Sequence, residues 1–398
     1  MIESAQRPYP VFFSYIGYAI FSIFLAAAIL ELGSLAVRHV YHWIHSGIQQ
    51  GPASPAYQGY PWVQEFWKEE YLRRGTVFED RYVPFLIWGE KPFHGEYINI
   101  DESFMGSLRR TVNSLGPACD QAPRKVIWMF GGSTVFGWGV PDTETIPSNL
   151  SRELNSAGSG CFVILNAGAE GYVTNQELLL LVEALKTGQR PDMVIFYDGV
   201  NDADAATAPG TPAPHLDFDR LKARIEGSLE SKLDFLESSN SLGLARIIGG
   251  RFKRNASFAP PPAELAARAA ATLDNYEANL RVVKSLGQAY NFQAFCFWQP
   301  SLASGSKPLV PFEQQLVGHI LDTGPFKIER AVNDEAARRS LRNADFVFLG
   351  QIFDSVEEPL YFDYFMHLGP RGNQIVAHAI AKWVAGRAGN EQRIKKAP

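Results

Sequence analysis

The longest apolar run in the chain is VFFSYIGYAIFSIFLAAAIL, residues 11–30, without a single charge. A run of that length suffices for a helix to cross a hydrocarbon core. Glu31 interrupts it and apolar character resumes as far as Arg38, so one N-terminal transmembrane helix is expected over 11–38, after a short tail, 1–10. A cleaved secretory signal is the rival reading. Its leading segment should be basic, whereas MIESAQRPYP carries one Arg and one Glu, and the apolar run exceeds a usual signal core. Tyr41 and Trp43 fall where an interfacial aromatic belt would lie, and His39, His42 and His45 read as one face of an interfacial helix rather than a metal site. Arg7 and Arg38 nearly balance across the run, so charge alone does not orient it. The juxtamembrane segment, 39–61, ends in the turn-rich linker GPASPAYQGYP.

Beyond the linker the periodicity changes. Residues 62–123 are aromatic and mixed; EYINI alternates as a strand, DESFMG reads as a turn and LRRTVN as the partner strand. This segment is expected to pack as an extension on the main domain, 124–388. There, short continuous apolar runs of the kind buried parallel strands show, KVIWMF (125–130), CFVILNAG, PDMVIFYDG, FQAFCFW and DFVFL, alternate with helical patterns near 145–156, 174–187, 263–289, 311–341 and 372–386. A variable insert is expected at 203–262 and a C-terminal tail at 389–398. Strands alternating with helices imply a doubly wound, flavodoxin-like α/β three-layer sandwich on a mostly parallel five-stranded sheet.

Composition narrows the function little. A hydrophobic share of 46% and a charged share of 20% are ordinary, and a net charge of −5 gives no basic face for nucleic acid. The three cysteines form no CxxC or Cys/His cluster, so no metal is expected. Cys296, inside an apolar run, reads as a buried thiol. Cys119 and Cys161 each stand at or just before a strand that should neighbour the other's, which suggests a disulfide or else two unrelated thiols.

In an open α/β sheet, ligands bind outside the carboxyl ends of the strands. The first strand is followed by Gly131-Gly132-Ser133-Thr134, the second by Asn166-Ala167-Gly168-Ala169-Glu170-Gly171, and the third by Asp198-Gly199-Val200-Asn201-Asp202. After the last strand comes Asp363-Tyr364-Phe365-Met366-His367. Acyl transfer requires such a set. A serine hydroxyl needs a base, and His367 is the histidine placed for that; its tautomer needs a holder, and Asp363 is the near carboxylate. An oxyanion needs preorganised donors, which the amides of Ser133 and Gly171 and the side chain of Asn201 supply. Asp198, Asp202 and Asp204 lack the glycine and distal glutamate of a calcium loop. Trp298 and Gln299, ending the fourth strand, are expected to face the crevice, where they either touch substrate or, the reading favoured, only pack.

The pieces GGSTVFG, NAGAEGY, DGVND and DYFMHLGPRGN resemble the four ordered blocks of the SGNH/GDSL hydrolases, over about residues 124–386. The resemblance implies Ser133 as nucleophile, Gly171 and Asn201 as oxyanion donors and His367 as base, with no cofactor. The KPFHGEYINID stretch is similar to the leader of bacterial membrane-anchored members. That implies a single-pass protein of the bacterial inner membrane with an extracytoplasmic catalytic domain. The anchor and the aromatic-rich surroundings suggest a small acyl ester, such as acetyl, on an envelope or extracellular glycan as substrate; the alternatives are a lipid esterase or thioesterase, and a non-catalytic anchored module that binds glycan or protein with the same fold, and protein partners stay open. Two departures stand out: GGS replaces GDS, and three residues rather than two separate Asp363 from His367. Asp363 reaches the ring only if that loop bulges; otherwise Asp354 or a carbonyl must orient it.

Overall fold

In a computed structural model of the full chain, the structure describes residues 9–45, 51–74, 81–156, 160–208, 214–226, 260–318 and 320–395. The side chains of His39, His42 and His45, most of the insert and both chain ends lie outside the described residues. The chain divides into two units, residues 1–49 with 220–256, and residues 50–219 with 257–398.

In the first unit, helix α1 (Tyr9–His45) contains a stretch, Gly17–Val37, of mean hydropathy 2.2, long and apolar enough to cross a membrane. Only 6% of it is buried, so its apolar side chains point outward rather than into a protein core.

The second unit opens with α2 (Val63–Arg74), an antiparallel ribbon of β1 (Arg81–Val83) and β2 (Ile87–Gly89), and the short strands β3 (Phe93–His94), β4 (Asn99–Ser103) and β5 (Gly106–Arg109). Alternation then begins: β6 (Arg124–Gly131), α3 (Ser133–Phe136), α4 (Ile146–Ser156), β7 (Cys161–Asn166), α5 (Thr174–Lys186), β8 (Met193–Asp198) and α6 (Val200–Ala205). Within the expected insert the described residues include α7 (Phe218–Ile225). After it come α8 (Pro262–Tyr290), β9 (Gln293–Trp298), α9 (Pro311–Gly318), α10 (Gly324–Ser340), β10 (Val347–Phe348) and α11 (Pro370–Lys395).

Strands β10-β9-β8-β6-β7 are mutually parallel, as read from the apolar runs, but the sheet has eight strands rather than five. The extension supplies the other three: β5 pairs antiparallel with β7 at Arg109↔Asn166, and β4 and β3 follow. This covers what would otherwise be an open edge of unpaired backbone groups. The hairpin turns at Phe104-Met105, where Gly106 takes φ +84°, so β4 runs on through the expected turn and β5 ends at Arg109.

The parallel strands alternate between two cores. Trp128, Phe130, Val194, Phe196, Cys296 and Trp298 point to the layer of α5, α8 and α10. Ile127, Met129, Ile195, Tyr197, Phe295 and Phe297 point to the layer of α4 and α11. All six residues of β8 are buried, as befits the centre of a doubly wound sheet. The order in space places β6 between β7 and β8, the flavodoxin-like arrangement, and the connections leave β6 and β8 in opposite directions. A crevice therefore opens at their carboxyl ends.

Arg109 ties the extension to that rim. Its guanidinium is buried, donates to Asp142 Oδ1 (3.0 Å) and to the carbonyls of Gly137 (2.8 Å) and Val140 (2.7 Å), and lies 4.9 Å over the Phe136 ring. Asp142 also accepts from the Asn99 side chain (2.9 Å). Removing one partner of such a buried pair typically costs about 3–5 kcal/mol, because the other charge is stranded.

At the opposite rim Cys119 and Cys161 form a disulfide, with Cα atoms 5.4 Å apart and 42 positions apart in sequence; Cys296 is a buried free thiol. Closing a loop of that length restricts the unfolded chain, so Cys119→Ser with Cys161→Ser is expected to lower stability by about 2–4 kcal/mol. Denaturant unfolding followed by near-UV circular dichroism measures it, and an unchanged midpoint would refute the loop-closure account.

Candidate active site

Ser133 begins α3 directly after β6. Gly132 before it has no room for a side chain: a Cβ there would lie 2.3 Å from Asn201 Nδ2. The Asn201 amide thus abuts the backbone that carries the serine, and it donates to the Tyr172 carbonyl at 2.7 Å. Asn166, at the end of β7, holds the same loop from behind, donating to Val135 O (2.9 Å) and accepting from Gly168 N (3.0 Å). Gly171 takes φ +73°, a conformation that favours glycine, with Trp88 and Leu216 both 3.5 Å from where a Cβ would stand. Among the described residues, no loop or turn hydrogen bond engages the amides of Ser133 and Gly171.

The base loop does bulge. Met366 adopts φ +70°, turning the chain back so that three intervening residues fit between carboxylate and imidazole. Left-handed backbone costs a non-glycine residue roughly 1–2 kcal/mol. Asp363 offsets it: Oδ1 accepts from the amides of Phe365 (3.0 Å) and His367 (3.2 Å), and Oδ2 contacts His367 Nδ1 at 2.7 Å. Hydrogen bonds to a charged group contribute about 1.5–3 kcal/mol each, so the loop is held despite the strain. His367 Nε2 lies 2.8 Å from Ser133 Oγ, across 234 positions of sequence. Asp354, the alternative orienter, instead accepts from the Ser306 amide at 2.6 Å.

The imidazole is boxed by rings. Buried Phe362 stacks on it (5.8 Å between centroids, 20°), Trp138 meets it edge-on (6.0 Å) and Phe365 flanks it (6.3 Å). Trp138 in turn carries the Arg74 guanidinium 3.6 Å over its ring. Arg74 and Arg73 both bind Glu170, the residue before Gly171, Arg73 at 2.7 Å. Burial alone would raise the Glu170 carboxyl, but the charges of Arg74 and Arg73 outweigh it and hold the group down to about 2. Its negative charge beside Gly171 is thereby compensated. Trp88 Nε1 completes the clamp, donating to Glu170 O at 2.8 Å.

Sequence reasoning missed Arg73, Arg74, Glu170, Trp138 and Met366. Only Glu170 and Met366 lay within the motif blocks, and nothing local marked their roles. Of the two readings open for Trp298, the structure shows packing, not the expected position facing the crevice. Strand alternation sends this ring away from the crevice, fully buried, its Nε1 donating to Asn333 Oδ1 at 2.9 Å and its face against Tyr276. Gln299 is buried too, accepting at Oε1 from the Thr134 hydroxyl (3.5 Å). Neither is presented to substrate.

Behind Asn201 lie three buried carboxyls. Burial pushes Asp198 up to about 8 and Asp202 up to about 6; it also raises Glu177, further lifted by the neighbouring Asp198. Asp202 accepts from the Thr174 hydroxyl at 2.5 Å. Among the described residues, no group of three or more His, Cys, Asp or Glu side chains is arranged to hold a metal.

No protein-family model matches the chain, and no curated protein does. Solved structures that resemble it include an acetyl xylan esterase, 17% identical with a TM-score of 0.36, covering 65% of this chain and 98% of that one. A lipase/acylhydrolase from Enterococcus faecalis is 12% identical at a TM-score of 0.34, covering 66% and 96%. The aryl esterase of M. smegmatis is 16% identical at 0.34, covering 66% and 99%. Strand order and the four motif-bearing loops at one rim give the chain an SGNH-like α/β fold.

The raised carboxyls set a pH dependence. Native Asp198 keeps a proton that the unfolded chain releases near pH 4, so folding stability falls as pH rises from about 4 through about 8. Asp198→Asn should therefore show a smaller loss of Tm between pH 5 and pH 8 than the parent. Parallel curves in thermal melts would contradict a buried protonated Asp198.

Proposed function

We propose that the protein is a serine ester hydrolase that removes, or transfers, a small acyl group, with Ser133 as nucleophile, His367 as general base then acid, and Asp363 as the carboxylate fixing the imidazole. The observation that carries this reading is the unbroken contact from Asp363 Oδ2 through His367 to Ser133 Oγ, at 2.7 and 2.8 Å. His367 Nε2 takes the hydroxyl proton as Oγ attacks the carbonyl carbon. The carbonyl oxygen becomes an oxyanion facing the Ser133 and Gly171 amides and Asn201 Nδ2. Collapse breaks the bond to the alcohol oxygen, which receives the proton from His367. Water then repeats the sequence on the acyl-serine, or a second alcohol does so in transfer.

The walls of Trp88 and Leu216 beside Gly171 favour a short acyl group such as acetyl. The apolar helix α1 supports a single-pass anchor, and the Cys119–Cys161 disulfide supports a catalytic unit outside the cytoplasm, where thiols are oxidised. An ester on an envelope or extracellular glycan is the substrate that fits an anchored, small-acyl enzyme. The bulge at Met366 accommodates the altered Asp–His spacing, so that spacing gives a non-catalytic binding module no support.

Turnover of p-nitrophenyl acetate by the full chain in detergent tests the nucleophile: Ser133→Ala should lower kcat by at least about 10⁴-fold and abolish labelling by a fluorophosphonate probe. Retained activity would exclude Ser133. Asn201→Ala should lower kcat by about 10²–10³-fold with the fold intact, and a change under about threefold would remove Asn201 from the oxyanion site.

A further inference from the structure

The base loop carries two aromatic side chains that the catalytic reading leaves unused. Tyr364 and Phe365 lie between Asp363 and His367, their centroids 4.0 Å apart at 35°. They are 45% and 56% exposed, while Phe362, the ring stacked on the other side of His367, is fully buried. A contiguous exposed apolar patch can serve as a ligand-binding surface.

Their position says which part of a substrate they meet. In the mechanism proposed above, on which this inference rests, the alcohol oxygen must come within reach of His367 Nε2 to be protonated as it leaves. The oxyanion and the acyl group lie toward Gly171, Asn201, Trp88 and Leu216. The side chains flanking the imidazole therefore border the alcohol. Trp138 is engaged beneath Arg74 and Phe362 is inside the core, so the exposed flank is the Phe365–Tyr364 pair.

We propose that Phe365 and Tyr364 form the subsite for the leaving alcohol, and that this alcohol is a pyranose ring, whose C–H face packs on the aromatic pair while its hydroxyls stay hydrated. A lipid ester would place its long chain on the acyl side and a polar glycerol on this one, which the two rings do not suit. An aryl alcohol would call for a dry slot, whereas both rings keep about half of their surface in water.

Three acetates separate these cases: an O-acetylated methyl pyranoside, phenyl acetate, and trifluoroethyl acetate, whose alcohol is too short to span the rings. Each is assayed with the full chain, Phe365→Leu, Phe365→Trp and Tyr364→Ala, alongside a short-chain phospholipid in vesicles. Phe365→Leu and Tyr364→Ala should each raise KM for the pyranoside roughly 3- to 10-fold, the scale of one aromatic contact. Under the same substitutions the ratio of the pyranoside KM to the trifluoroethyl acetate KM should rise by that factor, and Phe365→Trp should restore it. Equal losses on all three acetates would mean the rings only support the loop and would overturn the proposal. So would an effect confined to phenyl acetate or to the phospholipid, or no effect on the pyranoside. The underlying mechanism is tested separately, because Ser133→Ala abolishes hydrolysis of every ester if that mechanism holds, whatever these variants do.

Discussion

The Asp363 carboxylate is the constraint on which the base loop depends. Buried and almost without water, it accepts from two amides of its own loop and from the imidazole. A carboxylate in such a place is tolerable only when its lone pairs are filled, and here the groups that fill them are the ones that shape the turn. The turn forces Met366 into left-handed backbone, and Met366 Sδ accepts in turn from the Leu302 amide at 3.2 Å. Below the loop Glu313 accepts from the amides of Leu360 (2.9 Å) and Tyr361 (3.1 Å) and pairs with Lys307 (2.6 Å), so the chain entering the turn is fixed as well.

The other half of the site is held from the N-terminal side. Arg109 grips the carbonyls that follow the serine helix, while Arg73, Arg74 and Trp88 grip Glu170 and with it Gly171. The sheet brings the serine, glycine and asparagine loops to one rim, and residues 63–109 set their angles. The segment that looked like an appendage is in this sense the frame of the Ser133 and Gly171 loops.

What was legible in the sequence followed from local pattern. The five parallel strands announced themselves because residues buried on both faces leave a continuous apolar run, and the strand-end rule then selected Ser133, Gly171, Asn201 and His367. The eight-stranded sheet was not legible, because the pairing of Arg109 with Asn166 joins segments whose meeting has no local signal. Arg73 and Arg74 lie outside the motif blocks, and nothing local ties them to Glu170. Trp298 stands at a strand's end, but strand parity decides which layer a side chain enters, and it enters the core. The bulge was foreseen as a requirement, but Met366 as its pivot was not, since methionine carries no preference for that conformation.

The absence of a side chain at position 132 has a consequence for the departure from the GDS pattern. Asn201 Nδ2 stands where a Cβ on that residue would be. The space is shared between two loops on different strands, and one atom of side chain is enough to evict the amide. An aspartate before Ser133 and the present pose of Asn201 are therefore mutually exclusive, and restoring the more familiar triplet in this chain would oblige the Asn201 amide to swing aside. The bare glycine and the inward asparagine are two halves of one steric bargain, so neither position can drift without the other.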